Sequence, residues 1–257
     1  VVGLVVAIGA SSLAAPPRHA TGGGVGAGSP ARAAAQNVAA ESPSGPAPTP
    51  SPAAPGRHLF EATSRRSFED VDYWKSVFDD PARDAWQKPR EVIAALGLRP
   101  GMSVADLGAG TGYFTHHLAP AVAPGGTVFA VETEPNLVTY LRARAERDAQ
   151  PNVIPVLASF DNPRLPPAAV DLVLVVDTFH HIDQRLAYFQ RLAGVLRPGG
   201  RIAIVDWRID QLPVGPPPDH KIAREQVLAE MQAAGYRLVD ERPKLLPYHY
   251  FLVFQAS

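Results

Sequence analysis

The sequence predicts an α/β fold in which a mostly parallel sheet carries helices on both faces. Three observations lead there. From Met102 onward, short β-rich runs alternate with stretches of helical periodicity. One run, VDLVLVVD (170–177), is apolar nearly throughout, as in a strand buried on both sides. A glycine-rich turn within VADLGAGTGYF (104–114) joins the first run to the first helix.

The elements follow in order. MSVADL (102–107) is the first strand, and a helix starts over Tyr113 to Leu118. TVFAVE (127–132) is the second strand, set off by Gly125-Gly126. Asn136 to Asp148 is helical, with Leu137, Tyr140 and Leu141 on one side. NVIPVLAS (152–159) is a third strand whose proline marks an irregular or edge-like section. After 170–177, Leu186, Phe189, Leu192 and Leu196 recur at helical spacing, and RPGG turns the chain into RIAIVDW (201–207). A helix carrying Val227, Leu228 and Met231 stops at Gly235. YRLVDER and YHYFLVFQ, separated only by Pro243 to Pro247, leave no room for a helix and pair as an antiparallel hairpin.

Upstream, three segments differ in character. Residues 1–15 form an apolar stretch too short to span a membrane comfortably. It resembles the apolar core of a signal peptide, with Ser12, Ala14 and Ala15 near a cleavage point, but lacks a basic n-region. The first residue is Val, so either the true start lies upstream or Val1 is an alternative start. The other reading is an Ala/Gly/Val-rich disordered tail. Contact with a membrane is expected only through this segment, and the compartment is cytoplasmic or exported according to which reading holds. Residues 16–56, rich in Ala, Pro, Gly and Ser and without aromatics, are expected to be a flexible linker. The domain then runs over 57–257, with N-terminal helices in 57–100 and the α/β core in 101–257. Aromatics enter here (Phe60, Phe68, Tyr73, Trp74, Phe78, Trp86), and Asp80 caps a helix that begins near Pro81, runs through Val92, Ile93 and Leu96, and ends at Gly97.

Composition excludes several function classes. With a net charge of −1 and no long Lys/Arg run, there is no electrostatic case for nucleic acid as a partner. The chain has no cysteine, which removes disulfides, thiolate nucleophiles and thiolate metal sites together. The pairs His116-His117 and His180-His181 lack the i, i+4 spacing of a zinc motif, and no metal is expected.

The chemistry sits in VADLGAGTGYF. Gly108, Gly110 and Gly112 let the backbone turn tightly and let a ligand approach the main chain. Dinucleotide folds use G-x-G-x-x-G around a pyrophosphate, whereas this loop reads G-x-G-x-G with Asp106 two residues ahead. A carboxylate there repels a pyrophosphate and suits an ammonium group. Glu132, at the end of the next strand and about twenty residues past the loop, is placed to take both hydroxyls of a ribose. An NAD-dependent oxidoreductase shares that last feature but not the glycine spacing.

VADLGAGTGYF, AVETEP, VDLVLVVDTFHHI and LRPGGRIAIVDW together resemble the successive motifs of the class I S-adenosylmethionine-dependent methyltransferase superfamily, on its small-molecule branch with the ubiquinone/menaquinone C-methyltransferases. The resemblance covers about residues 88–257 and implies a Rossmann-like, seven-stranded sheet with an antiparallel last strand. It implies S-adenosyl-L-methionine as cofactor. Asp106, Gly108, Gly110 and Gly112 then match the loop that holds the methionine part. Glu132 matches the ribose ligand, and Ser159, Phe160 and Asp161 match the segment near the adenine. Asp177, with Thr178 and Phe179, ends the fourth strand, where sulfonium and acceptor meet.

His180 and Asp177 are the candidate catalytic residues: His180-His181 either supply a base at the pocket rim or form a polar turn. Tyr73, Trp74, Phe78 and Trp86 are either a lid over the cofactor or ordinary helix packing. PVGPPPDH (213–220) is a substrate-side loop or a stiff connector. DTFHH after the fourth strand is not the Asn/Asp-Pro-Pro-Tyr/Phe signature of enzymes that methylate planar amino nitrogens. Without cysteine, a likeness to arsenite methyltransferases does not extend to their activity. A small-molecule acceptor with an O, N or C nucleophile remains. The competing reading is a non-catalytic module that binds the cofactor.

Overall fold

The computed structural model describes residues 61–63 and 67–257. The apolar segment 1–15, the linker 16–56 and the first residues of the domain expected from Arg57 lie outside them.

The strands are β1 (Ser103–Leu107), β2 (Thr127–Glu132), β3 (Val153–Leu157), β4 (Val170–Val176), β5 (Leu196–Trp207), β6 (Tyr236–Glu241) and β7 (His249–Ala256). They form one seven-stranded sheet in the order β3-β2-β1-β4-β5-β7-β6. The pairs from β3 to β5 are parallel; β7 runs antiparallel between β5 and β6. This is the Rossmann-like sheet with an antiparallel last strand that the motifs imply, and the terminal hairpin forms as read. Pro155 lies in the edge strand β3, where a missing N–H is tolerated.

The helices are α1 (Val71–Phe78), α2 (Asp84–Gln87), α3 (Pro89–Leu96), α4 (Tyr113–Val122), α5 (Pro135–Arg147), α6 (Arg185–Ala193) and α7 (Arg224–Ala233). Alternate residues of each central strand feed two cores. Ala105, Val173, Val175, Ile202 and Ile204 pack with Phe189 and Leu192 of α6 and Val227 and Met231 of α7. Val104, Leu172, Leu174 and Ala203 pack with Leu96 of α3, Leu118 of α4 and Leu141 of α5. The sheet is therefore covered on both faces.

Two local expectations are corrected. The helix read from Pro81 to Leu96 is broken. Asp80 does cap it, accepting from the Ala82 N–H at 2.9 Å, but a 3₁₀ turn (Pro81–Arg83) and the single turn of α2 come first. Lys88 then takes a left-handed conformation (φ 45°), because Pro89 disfavours the helical region for the residue before it. Leu196 belongs to β5 rather than to the preceding helix, and RPGG continues that strand through an irregularity in its pairing with β4.

A 3₁₀ turn, Phe179–His181, follows β4, and its far end is fixed by a buried ion pair. Arg185 donates from Nη2 to Glu230 Oε1 at 2.9 Å and from Nη1 to the Ile182 carbonyl at 3.1 Å, with its guanidinium 5.2 Å from the Phe179 ring. Removing one partner of such a pair leaves a buried charge uncompensated, at about 3–5 kcal/mol. Glu230→Ala is therefore expected to lower the thermal midpoint by roughly ten degrees or more. An unchanged midpoint in a thermal melt would show that Arg185 is satisfied without it.

Candidate active site

Order reverses in the sheet between β1 and β4, and open α/β sheets bind ligands outside the carboxyl ends of the strands at that point. Here a cavity of about 920 Å³ opens. Asp106, Gly108, Gly110, Glu132, Ser159, Phe160, Asp177 and His180 all line it. Residues from four strand ends, 74 positions apart in sequence at the extremes, thus converge.

Gly108, Gly110 and Gly112 all sit at positive φ (75°, 57° and 88°). Gly108 has a second reason to be glycine: a Cβ there would lie 2.3 Å from Thr178 Oγ1. Gly112 shapes the turn without reaching the cavity wall; its N–H donates to the Ala109 carbonyl at 2.8 Å.

Asp106 is buried and accepts from Thr115 Oγ1 at 2.6 Å. Burial raises its pKa to about 6, against the pull of the Thr115 hydrogen bonds, with the Glu132 charge raising it further and Arg83 lowering it. Glu132 is held differently. Its Oε2 accepts from the Gly110 N–H at 2.8 Å, and its Oε1 from the Thr133 and Glu134 N–H groups at 2.6 and 3.2 Å. The carboxylate is thereby locked across the glycine loop. Ser159 and Phe160 reach the cavity, Phe160 with 77% of its surface exposed. Asp161 does not line it; its Oδ1 accepts from Ser159 Oγ at 2.8 Å and braces that side chain.

The acceptor side centres on Asp177 and His180. Asp177 is a non-glycine residue at φ 51°, a conformation that persists only where its surroundings enforce it. Two contacts do so: His249 Nε2 at 2.9 Å from Oδ1 and Arg83 Nη2 at 3.3 Å from Oδ2. His180 is buried, with Nδ1 2.8 Å from Asp206 Oδ1, and its backbone N–H donates to the same carboxylate. Burial pulls the His180 pKa down, but Asp206 and, less, Asp177 outweigh it and Arg185, for a net rise. Asp206 is correspondingly lowered by His180 against its own burial. With Nδ1 engaged, Nε2 is the ring nitrogen left for the cavity.

Aromatics close the rest. Trp74, Phe78 and Trp86 line the cavity, while Tyr73 points to solvent. Trp86 lies parallel to His249 at 5.8 Å and is 5.3 Å from Trp207. Gly215, Pro216, Pro217 and His220 bring the 213–220 loop to the wall, and Gly215 packs on the Trp207 ring. His116 and His117 are elsewhere: His116 pairs with Asp148 at 3.4 Å and His117 packs near the Tyr113 ring. Sequence reasoning missed Arg83, Asp206 and His249. Asp206 did leave a trace, as the one charged residue inside the apolar run IAIVDW.

Between pH 4 and 6 the folded chain holds a proton on Asp106 that the unfolded chain releases; above pH 6 the buried carboxylate costs folding on the order of 3 kcal/mol. Asp106→Asn is expected to raise the thermal midpoint at pH 8 by roughly 5–10 °C, with the gain shrinking toward pH 4. Equal midpoints at pH 8 would rule out a charge held at a cost.

The donor set fits a ligand with an ammonium group at one end and a vicinal diol at the other: Asp106 supplies a buried carboxylate with no cation paired to it, and Glu132 keeps acceptor room on Oε2, its Oε1 being taken up by Thr133 and Glu134. Comparison with known proteins agrees. A family model described as a methyltransferase domain matches residues 104–200. The chain is 33% identical over 151 residues to a protein-L-isoaspartate O-methyltransferase of Aeropyrum pernix, covering 58% of this chain and 55% of that one. It is 23% identical over 145 residues to a demethylmenaquinone methyltransferase of Lactococcus lactis, covering 56% and 57%. The chain thus spans about half the length of the curated relatives it matches. A crystal structure of an S-adenosylmethionine-dependent methyltransferase from Aquifex aeolicus superposes with a TM-score of 0.69 at 26% identity, over 73% of this chain and 99% of that one. The strand order, the glycine loop and the placement of Asp106 and Glu132 agree with these likenesses: residues 104–200 match a methyltransferase domain, the fold is that of the S-adenosylmethionine-dependent methyltransferases, and the cofactor these likenesses indicate is S-adenosyl-L-methionine.

Proposed function

We propose that this protein transfers a methyl group to a small-molecule acceptor and that His180 takes the proton the acceptor loses. The supporting observation is the buried His180–Asp206 pair on the wall of the cavity that also contains the glycine loop.

Bound, the cofactor supplies a methyl group already activated on a sulfonium. The chain's task is alignment and exclusion of water. Asp106 would hold the ammonium of the methionine part, Glu132 would accept from the ribose hydroxyls, and Ser159 and Phe160 would flank the base. Asp177, pinned by His249 and Arg83, fixes the strand end where methyl and acceptor meet. Asp206 is a positioning residue: its hydrogen bond sets the His180 tautomer so that Nε2 faces the acceptor, and its charge stabilises the imidazolium that forms.

Glu132→Ala is expected to weaken binding of S-adenosylhomocysteine. Hydrogen bonds to a charged group contribute roughly 1.5–3 kcal/mol, which is about ten- to a hundredfold. Calorimetry giving wild-type affinity would remove Glu132 from the ribose.

His180→Ala is expected to leave that affinity nearly unchanged and to slow turnover by roughly 10²–10⁴-fold. Wild-type turnover should fall as pH drops through a His180 pKa above its ordinary value, burial and Arg185 pulling it down and Asp206 and Asp177 raising it by more. Asp206→Asn should move that midpoint to lower pH. Release of S-adenosylhomocysteine, followed over a panel of hydroxyl, amine and carbon acceptors, is the measurement. A pH-independent loss in His180→Ala would reduce His180 to shaping the pocket, and binding without turnover on every acceptor would favour a non-catalytic module.

A further inference from the structure

We infer that Tyr188 and Ser159 together read the base of the cofactor, Tyr188 donating a hydrogen bond to a ring nitrogen of the adenine and Ser159 accepting one from its amino group. The inference rests on the cofactor reading above and gives the base side of that site a recognition pair that Asp161 does not supply.

Asp161 is the acid that the motif resemblance sets near the adenine, yet it does not line the cavity. It is exposed, its Oδ1 accepts from Ser159 Oγ at 2.8 Å, and that hydrogen bond is the chief reason its pKa is lowered. The Ser159 hydroxyl proton is thereby committed to a carboxylate. What Ser159 offers the cavity is the lone pairs of its oxygen, an acceptor.

Tyr188, near the start of α6, is buried and lines the same cavity with Ala158, Ser159 and Ile182. Its ring packs edge-on to Phe189, in the core cluster that also holds Ala158 and Ile182. The other buried tyrosines among the described residues use their hydroxyl protons within the protein. Tyr113 donates to Asp84, Tyr236 to the Phe189 carbonyl and Tyr250 to the Ile222 carbonyl. The Tyr188 hydroxyl has no hydrogen-bond partner among the described residues. Burial raises its pKa, with Arg191 opposing and Asp161 adding, so the hydroxyl keeps its proton and is a donor. Those two charges also place it on the base side, since Arg191 donates to the Asp161 carbonyl and Asp161 holds Ser159. Packing asks only for the ring. A hydroxyl on a wall that a ligand covers costs free energy unless the ligand bonds to it.

Adenine complements this pair. Its amino group, a donor, sits beside a ring nitrogen with a free lone pair, an acceptor. Ser159 and Tyr188 present the matching acceptor and donor. Hypoxanthine carries an oxygen where adenine carries the amino group, and sets that oxygen against the Ser159 lone pairs. Hydroxyls committed in this way discriminate more sharply than apolar contact, because the wrong base leaves them unpaired.

The test is calorimetry on the full chain, wild type beside Tyr188→Phe, with four ligands: S-adenosylhomocysteine, its 1-deaza and 7-deaza forms, and S-inosylhomocysteine. Wild-type chain is expected to bind the adenosyl compound at least about tenfold more tightly than the inosyl one. Tyr188→Phe, its folding checked by thermal midpoint, should weaken S-adenosylhomocysteine about three- to tenfold. On one deaza form, the one lacking the nitrogen that Tyr188 bonds, the same substitution should change affinity by less than about twofold. Equal losses on all three adenine compounds overturn the inference, because a packing defect does not tell them apart. Unchanged S-adenosylhomocysteine affinity in Tyr188→Phe also overturns it, as does equal wild-type binding of the inosyl compound. If wild-type chain binds none of the four, the cofactor reading itself falls, and this inference with it.

Discussion

The close approach of Gly108 to Thr178 is the contact on which the rest of the site depends. It joins the ends of β1 and β4, the two central strands between which the sheet changes direction. No side chain fits between them, so the turn that opens the cofactor side and the turn that opens the acceptor side share one wall. Thr178 is held in turn, its hydroxyl donating to the Val176 carbonyl at 2.8 Å. Every further feature, from the lock of Glu132 on Gly110 to the left-handed Asp177, extends outward from this seam. Two ligands delivered to opposite sides of it necessarily meet.

Charge is distributed along the same division. On the acceptor side, charged groups have partners: the buried His180 with Asp206, the half-buried Asp177 with Arg83 and His249, and the buried Arg185 with Glu230 behind them. On the cofactor side Asp106 is hydrogen-bonded by Thr115 but paired with no cation, and burial raises its pKa. A paired charge fixes geometry, whereas an unpaired buried one awaits a counter-ion. The site therefore divides into a part complete in itself and a part that a cationic ligand completes.

Much of this was legible in the sequence, for physical reasons. Strand and helix periods differ, so the alternation from Met102 onward specified the sheet, and the short Pro243 to Pro247 connection specified a hairpin. The loop glycines were legible because left-handed backbone excludes most other residues. What escaped notice depends on distance in the chain. Arg83 and His249 are separated from Asp177 by 94 and 72 positions, and no local pattern marks either as its partner. The break at Lys88 was readable from Pro89 alone, yet the continuous apolar face around it masked the signal. Asp161 was placed with its neighbours by motif, whereas the structure turns it back onto Ser159.

The placement of the tryptophans has an optical consequence. Indole emission shifts and quenches with the polarity and charge of its surroundings, and in most proteins it averages over unrelated sites. Here all three indoles border one cavity, two from the N-terminal helical segment and one from the end of β5. The intrinsic emission of this chain is thus a signal from the cavity, with no dilution from tryptophans elsewhere. Occupancy, the arrival of charge and the entry of water register in a single spectrum without any attached label.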